Sequence, residues 1–499
     1  MKKRLFSHLG GTGLLLFGRA RSFLFLLVLS ALPLSAEEEE GEIRALWVDA
    51  WGTEFRDEAG VARLIEDARS ANINLIFPNL RRITGEVFFR SSYEPMAAEV
   101  EPEFDPLEAL LRHARSGGRR IAVHPYIAVT PVWTRPEETP VQANHPFVLH
   151  PEWLSETVEG VPFERKFFFD LGHPGFIEHM TGLLRELVEN YDIDGLQLDK
   201  IRYSGLEWGY NPVAVERFRS LYDRSGRPLE MDPLWVEFRR NLVTALVRRV
   251  YLQTKAVRPE TMVSAAAICW LPAPSSDDDW RSTAAYSKVL QDWRSWLEEG
   301  TLDLVVPMSY FAEPKHAEGW EEWTRFIKDN RYGRLAALGI GLYKNPIPVS
   351  VGQIEDARTE TQSGNRANGV SLFSYRVPDR DRGPVEPLLE ALSAGPFAEP
   401  AALPEFPDFH EEGRGHLLVR IAGADGMPLP DRPVTLEGPV TVETRTDGNG
   451  MLAMLNLVPG TYRISTDGAE ESGQGLPREV RVRAGEVNPV REDPAEGAE

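Results

Sequence analysis

Apolar runs and amphipathic segments alternate along most of the chain. The first run, Ile43–Trp51, reads as a buried strand. Behind it, Val61, Leu64, Ile65 and Ala68 fall at i, i+3, i+4 and i+7, which predicts a helix over Asp57–Asn72 with one apolar face. The unit then repeats. Further strands are predicted at Ile73–Leu80, Ile121–Val129, Gly195–Tyr203, Thr261–Cys269, Leu302–Tyr310, Arg334–Tyr343 and Gly369–Tyr375. Helical segments separate them, the cleanest over Pro174–Asn190 and the longest over roughly Pro212–Ala256. Strands buried on both faces read as continuous apolar runs, and crossover helices imply a parallel sheet. Eight such units predict an α/β fold, a (β/α)8 TIM barrel, over residues 42–397. An open doubly wound sheet is the rival. It is weakened because no glycine-rich dinucleotide fingerprint follows the first strand.

The periodicity changes beyond the barrel. Residues 398–412 are rich in Pro, Glu and Ala and read as a linker. From 413 to 490, short strand-like runs are separated by Gly and Asp turns, including Asp447-Gly448-Asn449-Gly450. That spacing predicts a small all-β sandwich. Residues 491–499 read as a disordered tail.

The N-terminus looks like a targeting segment. Lys2, Lys3 and Arg4 precede an apolar run from Phe23 to Leu34, and small residues Ser35 and Ala36 close it. These are the parts of a secretory signal peptide over residues 1–36. The run is short for a bilayer span, so an uncleaved signal is the only membrane attachment expected. The protein is therefore expected outside the cytoplasm, periplasmic or extracellular. Cys269 is the single cysteine, so no intramolecular disulfide forms, and its apolar neighbours suggest an inert core thiol. The net charge of −21 argues against nucleic acid as a partner. No cofactor or metal motif is present, and the sequence sets no oligomeric state.

Function in such a barrel belongs at the C-terminal ends of the strands. Aromatic and polar residues recur there: Trp47 on strand one, His124 and Tyr126 on strand three with Trp133 beyond, Tyr203 after strand four, Trp270 after five, Tyr310 on six and Tyr343 on seven. Flat aromatic rings with a polar edge suit sugars, which present apolar C–H faces among hydroxyls. Asp199 is the leading catalytic candidate, since alternation puts Gln197 and Asp199 on one side of strand four. A structural aspartate paired with Arg202 or Arg81 is the competing role. Glycosidic cleavage usually takes two carboxyl groups, and Glu86 and Asp49 are the options for the second. Arg81, Arg82, Lys200 and Arg202 either bind an anionic sugar or pair with these acids.

Several motifs together resemble the glycosyl-hydrolase-like 10 family. They are Arg44-Ala45-Leu46-Trp47-Val48-Asp49, Asn79-Leu80-Arg81 with Glu86-Val87-Phe88-Phe89, Tyr93-Glu94-Pro95, Phe104-Asp105-Pro106-Leu107, Asp170-Leu171-Gly172-His173-Pro174, Asp194-Gly195-Leu196-Gln197-Leu198-Asp199 and Val306-Pro307-Met308-Ser309-Tyr310. The resemblance implies an exported barrel glycosidase acting on bacterial cell-wall glycan, namely peptidoglycan strands stripped of stem peptides. The lactyl carboxylates of such strands suit the basic groups. Glu86 stands where many members have Asp, and Met308 where many have Gln. Chitinase-like barrels place a Glu two positions beyond the strand-four Asp, where Ile201 stands here. The C-terminal turn motifs resemble carboxypeptidase-regulatory-like modules, whose role is accessory. The alternative reading is a catalytically inactive barrel that binds glycans in the envelope.

Overall fold

The computed structural model describes residues 41–161, 166–406, 413–423, 425–466 and 479–489. The predicted signal peptide and C-terminal tail lie outside the described residues. Among the described residues, no helix is long and apolar enough to cross a membrane.

The eight strands form a closed parallel barrel. They run Ile43–Val48, Leu75–Arg81, Ala122–Val123 with Tyr126–Ala128, Gly195–Asp199, Met262–Ala267, Leu304–Pro307, Leu335–Gly341 and Gly369–Phe373. Strand eight closes the ring, pairing with strand one at Ala45–Ser371 and with strand seven at Gly339–Ser371. Strand three is interrupted at His124-Pro125, because proline brings no N–H to the ladder. The carbonyl of Pro125 still accepts from the Gln197 amide, which keeps strand four in register.

Helix boundaries follow local chemistry. The helix Pro174–Asn190 starts on Pro174 at its first position, with the His173 side chain accepting from the Gly175 amide. Asp57 and Asp105 cap the helices Glu58–Ser70 and Pro106–Arg115 in the same way. The long helical region predicted over roughly Pro212–Ala256 is two helices, Pro212–Tyr222 and Pro233–Val257. Asp223 stops the first by taking a left-handed conformation with φ of 49°. The break carries its own sequence signal, a polar stretch from Asp223 to Asp232 that holds Gly226 and Pro228.

Residues 398–406, part of the expected linker, run under the barrel. The Glu42 amide donates to the Ala402 carbonyl, and Leu403 packs against the apolar side chains filling the barrel's lower end. The C-terminal module is all-β. One sheet holds Gly415–Arg420, Met451–Leu457 and Val487–Pro489; the other holds Pro433–Glu437, Val442–Arg445, Gly460–Thr466 and Glu479–Val482. Leu417, Val419, Leu436, Tyr462 and Ile464 fill the space between them.

Candidate active site

A cavity of about 520 Å³ opens at the C-terminal ends of strands four to eight, with Trp47 of strand one in its floor. Asp199 is its only carboxylate among the described residues. Strand four ends on this residue because Lys200 adopts a left-handed conformation, with φ of 53°. Strain of this kind in a non-glycine residue persists only where surrounding contacts fix it. Here the Val129 amide donates to the Asp199 carbonyl at 2.8 Å, and the Thr130 hydroxyl to the Lys200 carbonyl at 3.0 Å. The Asp199 carboxylate itself has no hydrogen-bond or ion-pair partner among the described residues. It is half-buried and turned into the cavity.

Cations and phenols surround it. Lys200 and Arg202 line the cavity, with His316 and Lys344 further out. Asp199 favours the charged form of Lys200, but burial and the nearby cations Arg202 and Lys166 outweigh it and lower the lysine's pKa. Arg202 is buried, and its Nη1 is unpartnered. The phenols of Tyr126 and Tyr310 are pushed well above their usual range by burial and then by the Asp199 charge, so both stay protonated as donors. The Tyr310 ring stacks on Phe373 at 5.3 Å and meets Tyr343 edge-on at 6.0 Å. Trp270 and Tyr343 stand exposed at the rim.

The strand-one side brings further acids near the mouth. Asp49 is buried, and its Oδ1 accepts from Arg376 Nε at 2.8 Å and from the Trp51 amide at 3.1 Å. Tyr126 senses both the Asp49 and Asp199 charges, which places its phenol between strands one and four. Glu54 lies beside Asp49. Burial first, and then the Asp49 charge, raise its pKa, and its Oε2 is buried without a partner.

Several sequence candidates sit elsewhere. Glu86 does not line the cavity: its Oε2 accepts from Arg82 at 2.6 Å and Thr84 at 3.0 Å, so it is already paired. Arg81 is fully buried in a bidentate pair with Glu94 at 2.6 and 2.9 Å, and donates as well to the Pro131 carbonyl. A register irregularity between Asn79 and Arg81 accompanies this departure of the arginine from the mouth. Trp133 is locked in the strand-three excursion, its Nε1 donating to the Arg135 carbonyl at 2.6 Å. Tyr203 is buried against Arg239, in a neighbouring crevice that adjoins the cavity at Arg202. His124 lies deep in the barrel interior, 1 % exposed. Trp47, Arg202, Trp270, Tyr310 and Tyr343 do line the cavity with Asp199, and Tyr126 packs against Trp47 at 5.0 Å.

The sequence profile of the glycosyl hydrolase-like 10 family matches residues 42–357, the span that carries every cavity residue named above except Phe373. The chain belongs to this family. Among characterised relatives, glycosyl hydrolase YngK of Bacillus subtilis (strain 168) is 21 % identical over 413 residues, covering 76 % of each chain. Glycosyl hydrolase DigH of Escherichia coli (strain K12) is 27 % identical over 265 residues, 50 % of this chain and 56 % of the relative. Among solved structures, the PgaB (BpsB) glycoside hydrolase domain of Bordetella bronchiseptica aligns with 67 % of this chain and 94 % of that one, at 10 % identity and a TM-score of 0.47.

In this glycosyl hydrolase-like 10 chain, the arrangement offers one unpaired carboxylate, neighbouring phenol donors and a positive rim. Cys269 also lines the cavity, but burial drives its thiol pKa well above the usual range, so it is not a nucleophile. No cluster of three or more His, Cys, Asp or Glu side chains suited to a metal occurs among the described residues. Sequence reading missed Phe373, Phe311, His316 and Glu54. Phe373 was legible, since Gly369, Ser371 and Phe373 alternate inward on strand eight; the other three lie in loops whose paths no periodicity reports.

Proposed function

We propose that this protein is an exported glycosidase that cuts a bacterial cell-wall glycan, denuded peptidoglycan strands or a related polysaccharide. The supporting observation is the unpaired Asp199 carboxylate in an aromatic cavity whose other charged groups are cationic. Two relatives bear glycosyl hydrolase names, which fits the same reaction class. Asp199 acts as the nucleophile or base. The strand-one acids supply the second carboxyl: Asp49 is paired with Arg376, and Glu54 is pushed by burial toward the protonated form that a general acid needs. Lys200, Arg202 and Lys344 receive the sugar's carboxylate. The C-terminal module, carboxypeptidase-regulatory-like in its turns, serves as an accessory to the barrel.

The test is incubation of pure protein with glycan strands stripped of stem peptides, with intact peptidoglycan, and with a neutral polysaccharide. Mass spectrometry of the soluble fraction should show new saccharides from the stripped strands first. Equal inertness toward all three would favour a second reading, a barrel that binds glycans without cleaving them. That reading draws on Asp199 being the only acid in the cavity lining among the described residues.

A further inference from the structure

The barrel interior beneath Asp199 is unusually polar. Inward side chains of a closed eight-stranded barrel stack in layers contributed by alternate strands. Following the strand register round the ring, Asp199 and Phe373 share an upper layer, with Trp47 and Tyr126 beneath them. Gln197 and Ser371 come next, and His124 and Ser264 below those. Six polar atoms in these layers have no partner: Trp47 Nε1, both amide atoms of Gln197, Ser371 Oγ and both ring nitrogens of His124. Their residues are at most 2 % exposed.

Buried polar groups left unpaired are costly and rare, and clusters of them are normally bridged by internal water. Their apolar neighbours include the small side chains Ala45, Ala266 and Ala337. The lower end is closed by Ile43, Leu75, Met262, Leu304 and Leu335, with Leu403 packed against them. The set contains donors and acceptors but no charge, since burial lowers the His124 pKa to about 3 and keeps the ring neutral. That chemistry suits water and not an ion.

We propose that the barrel axis below Asp199 is a water-binding site, with Gln197, His124, Ser371 and the Trp47 indole as its ligands. It lies beneath the indole that floors the cavity and is closed below by the apolar layer. Water on Trp47 Nε1 fixes the indole that forms the cavity floor.

The site is tested without any glycan, so its failure leaves the proposed activity untouched. A crystal structure of the full chain resolving internal water should show at least one enclosed water bonded to Gln197 or His124. An interior with these side chains bonded directly to each other would overturn the site. Thermal unfolding of Gln197→Met gives an independent readout. If the amide binds water, losing it lowers Tm by a few degrees and leaves the water's other ligands strained. If the amide is simply unpaired and dry, the apolar replacement raises Tm, which also overturns the proposal. Ser371→Ala, a smaller change, should lower Tm in the same direction, and no change or a rise there counts against it.

Discussion

Arg81 and Glu94 form a fully buried ion pair, with His179 adding a 3.1 Å contact to the same carboxylate. Burial alone would raise the Glu94 pKa, but Arg81 and His179 outweigh it and hold the value at about 2, against 4.5 ordinarily. The stability this pair contributes is therefore present above about pH 4.5 and is lost as pH falls toward 2. Glu94→Gln leaves a buried guanidinium unpaired and should cost about 3–5 kcal/mol in chemical denaturation. Turnover per folded molecule should be unchanged, because neither residue lines the cavity. His124 works with the same sign for the opposite reason. Its folded pKa of about 3 lies below the usual 6.5, so the unfolded chain binds the extra proton between those values. Stability should fall as pH drops through that window, by at most about 1.4 kcal/mol per unit, and His124→Phe should flatten that limb of the curve. At this scale the sequence revealed Asp199, because strand alternation is a strict period of two. It misplaced Arg81, Glu86 and Tyr203, because a register irregularity, a local ion pair and a turn after a left-handed residue all break that period.

The strands themselves were legible as apolar runs, and all eight appear. Their ends were not, since a run of apolar residues continues past the last ladder bond, as Ile268 and Cys269 do beyond Ala267. The turn Asp447-Gly448-Asn449-Gly450 was visible as a turn but not as a contact. Asn449 Nδ2 donates to the Pro174 carbonyl at 2.9 Å, and Arg249 reaches Asn449 Oδ1 at 3.2 Å. Arg217 forms a bidentate pair with Asp431 at 2.7 and 2.8 Å. Hence the β module is fastened to the barrel helices Pro174–Asn190, Pro212–Tyr222 and Pro233–Val257. A side chain at Gly448 would place its Cβ 2.5 Å from the Arg217 guanidinium. Gly448→Val should therefore displace Arg217 from Asp431 and cost roughly 1–3 kcal/mol, read as a lower midpoint in urea. An unchanged midpoint would mean the module's attachment does not depend on that pair.

Across the whole molecule, a net charge of −21 contrasts with a cavity where Lys200, Arg202 and Lys344 face a single carboxylate. An acidic surface repels anions at long range, while the cations at the mouth attract them at short range. Screening acts most on the exposed and distant charges. Carboxyl-reduced glycan should consequently bind more weakly than the anionic form, and Lys344→Ala should narrow the difference, both measurable by calorimetry. The fold was legible at this scale because the repeat of eight units spans most of the chain, and the family because motifs that resemble it recur in order along the barrel. The partner acid was not, because it depends on how the strand-one loop folds over Asp49 and Glu54.

The most direct measurement is the rate of glycan cleavage by the wild-type protein and by Asp199→Asn on the same denuded strands, with binding recorded in parallel. Turnover in the variant should fall by roughly 10³-fold while glycan affinity and Tm stay within error. Wild-type turnover in that variant would contradict a catalytic role for strand four's terminal carboxylate.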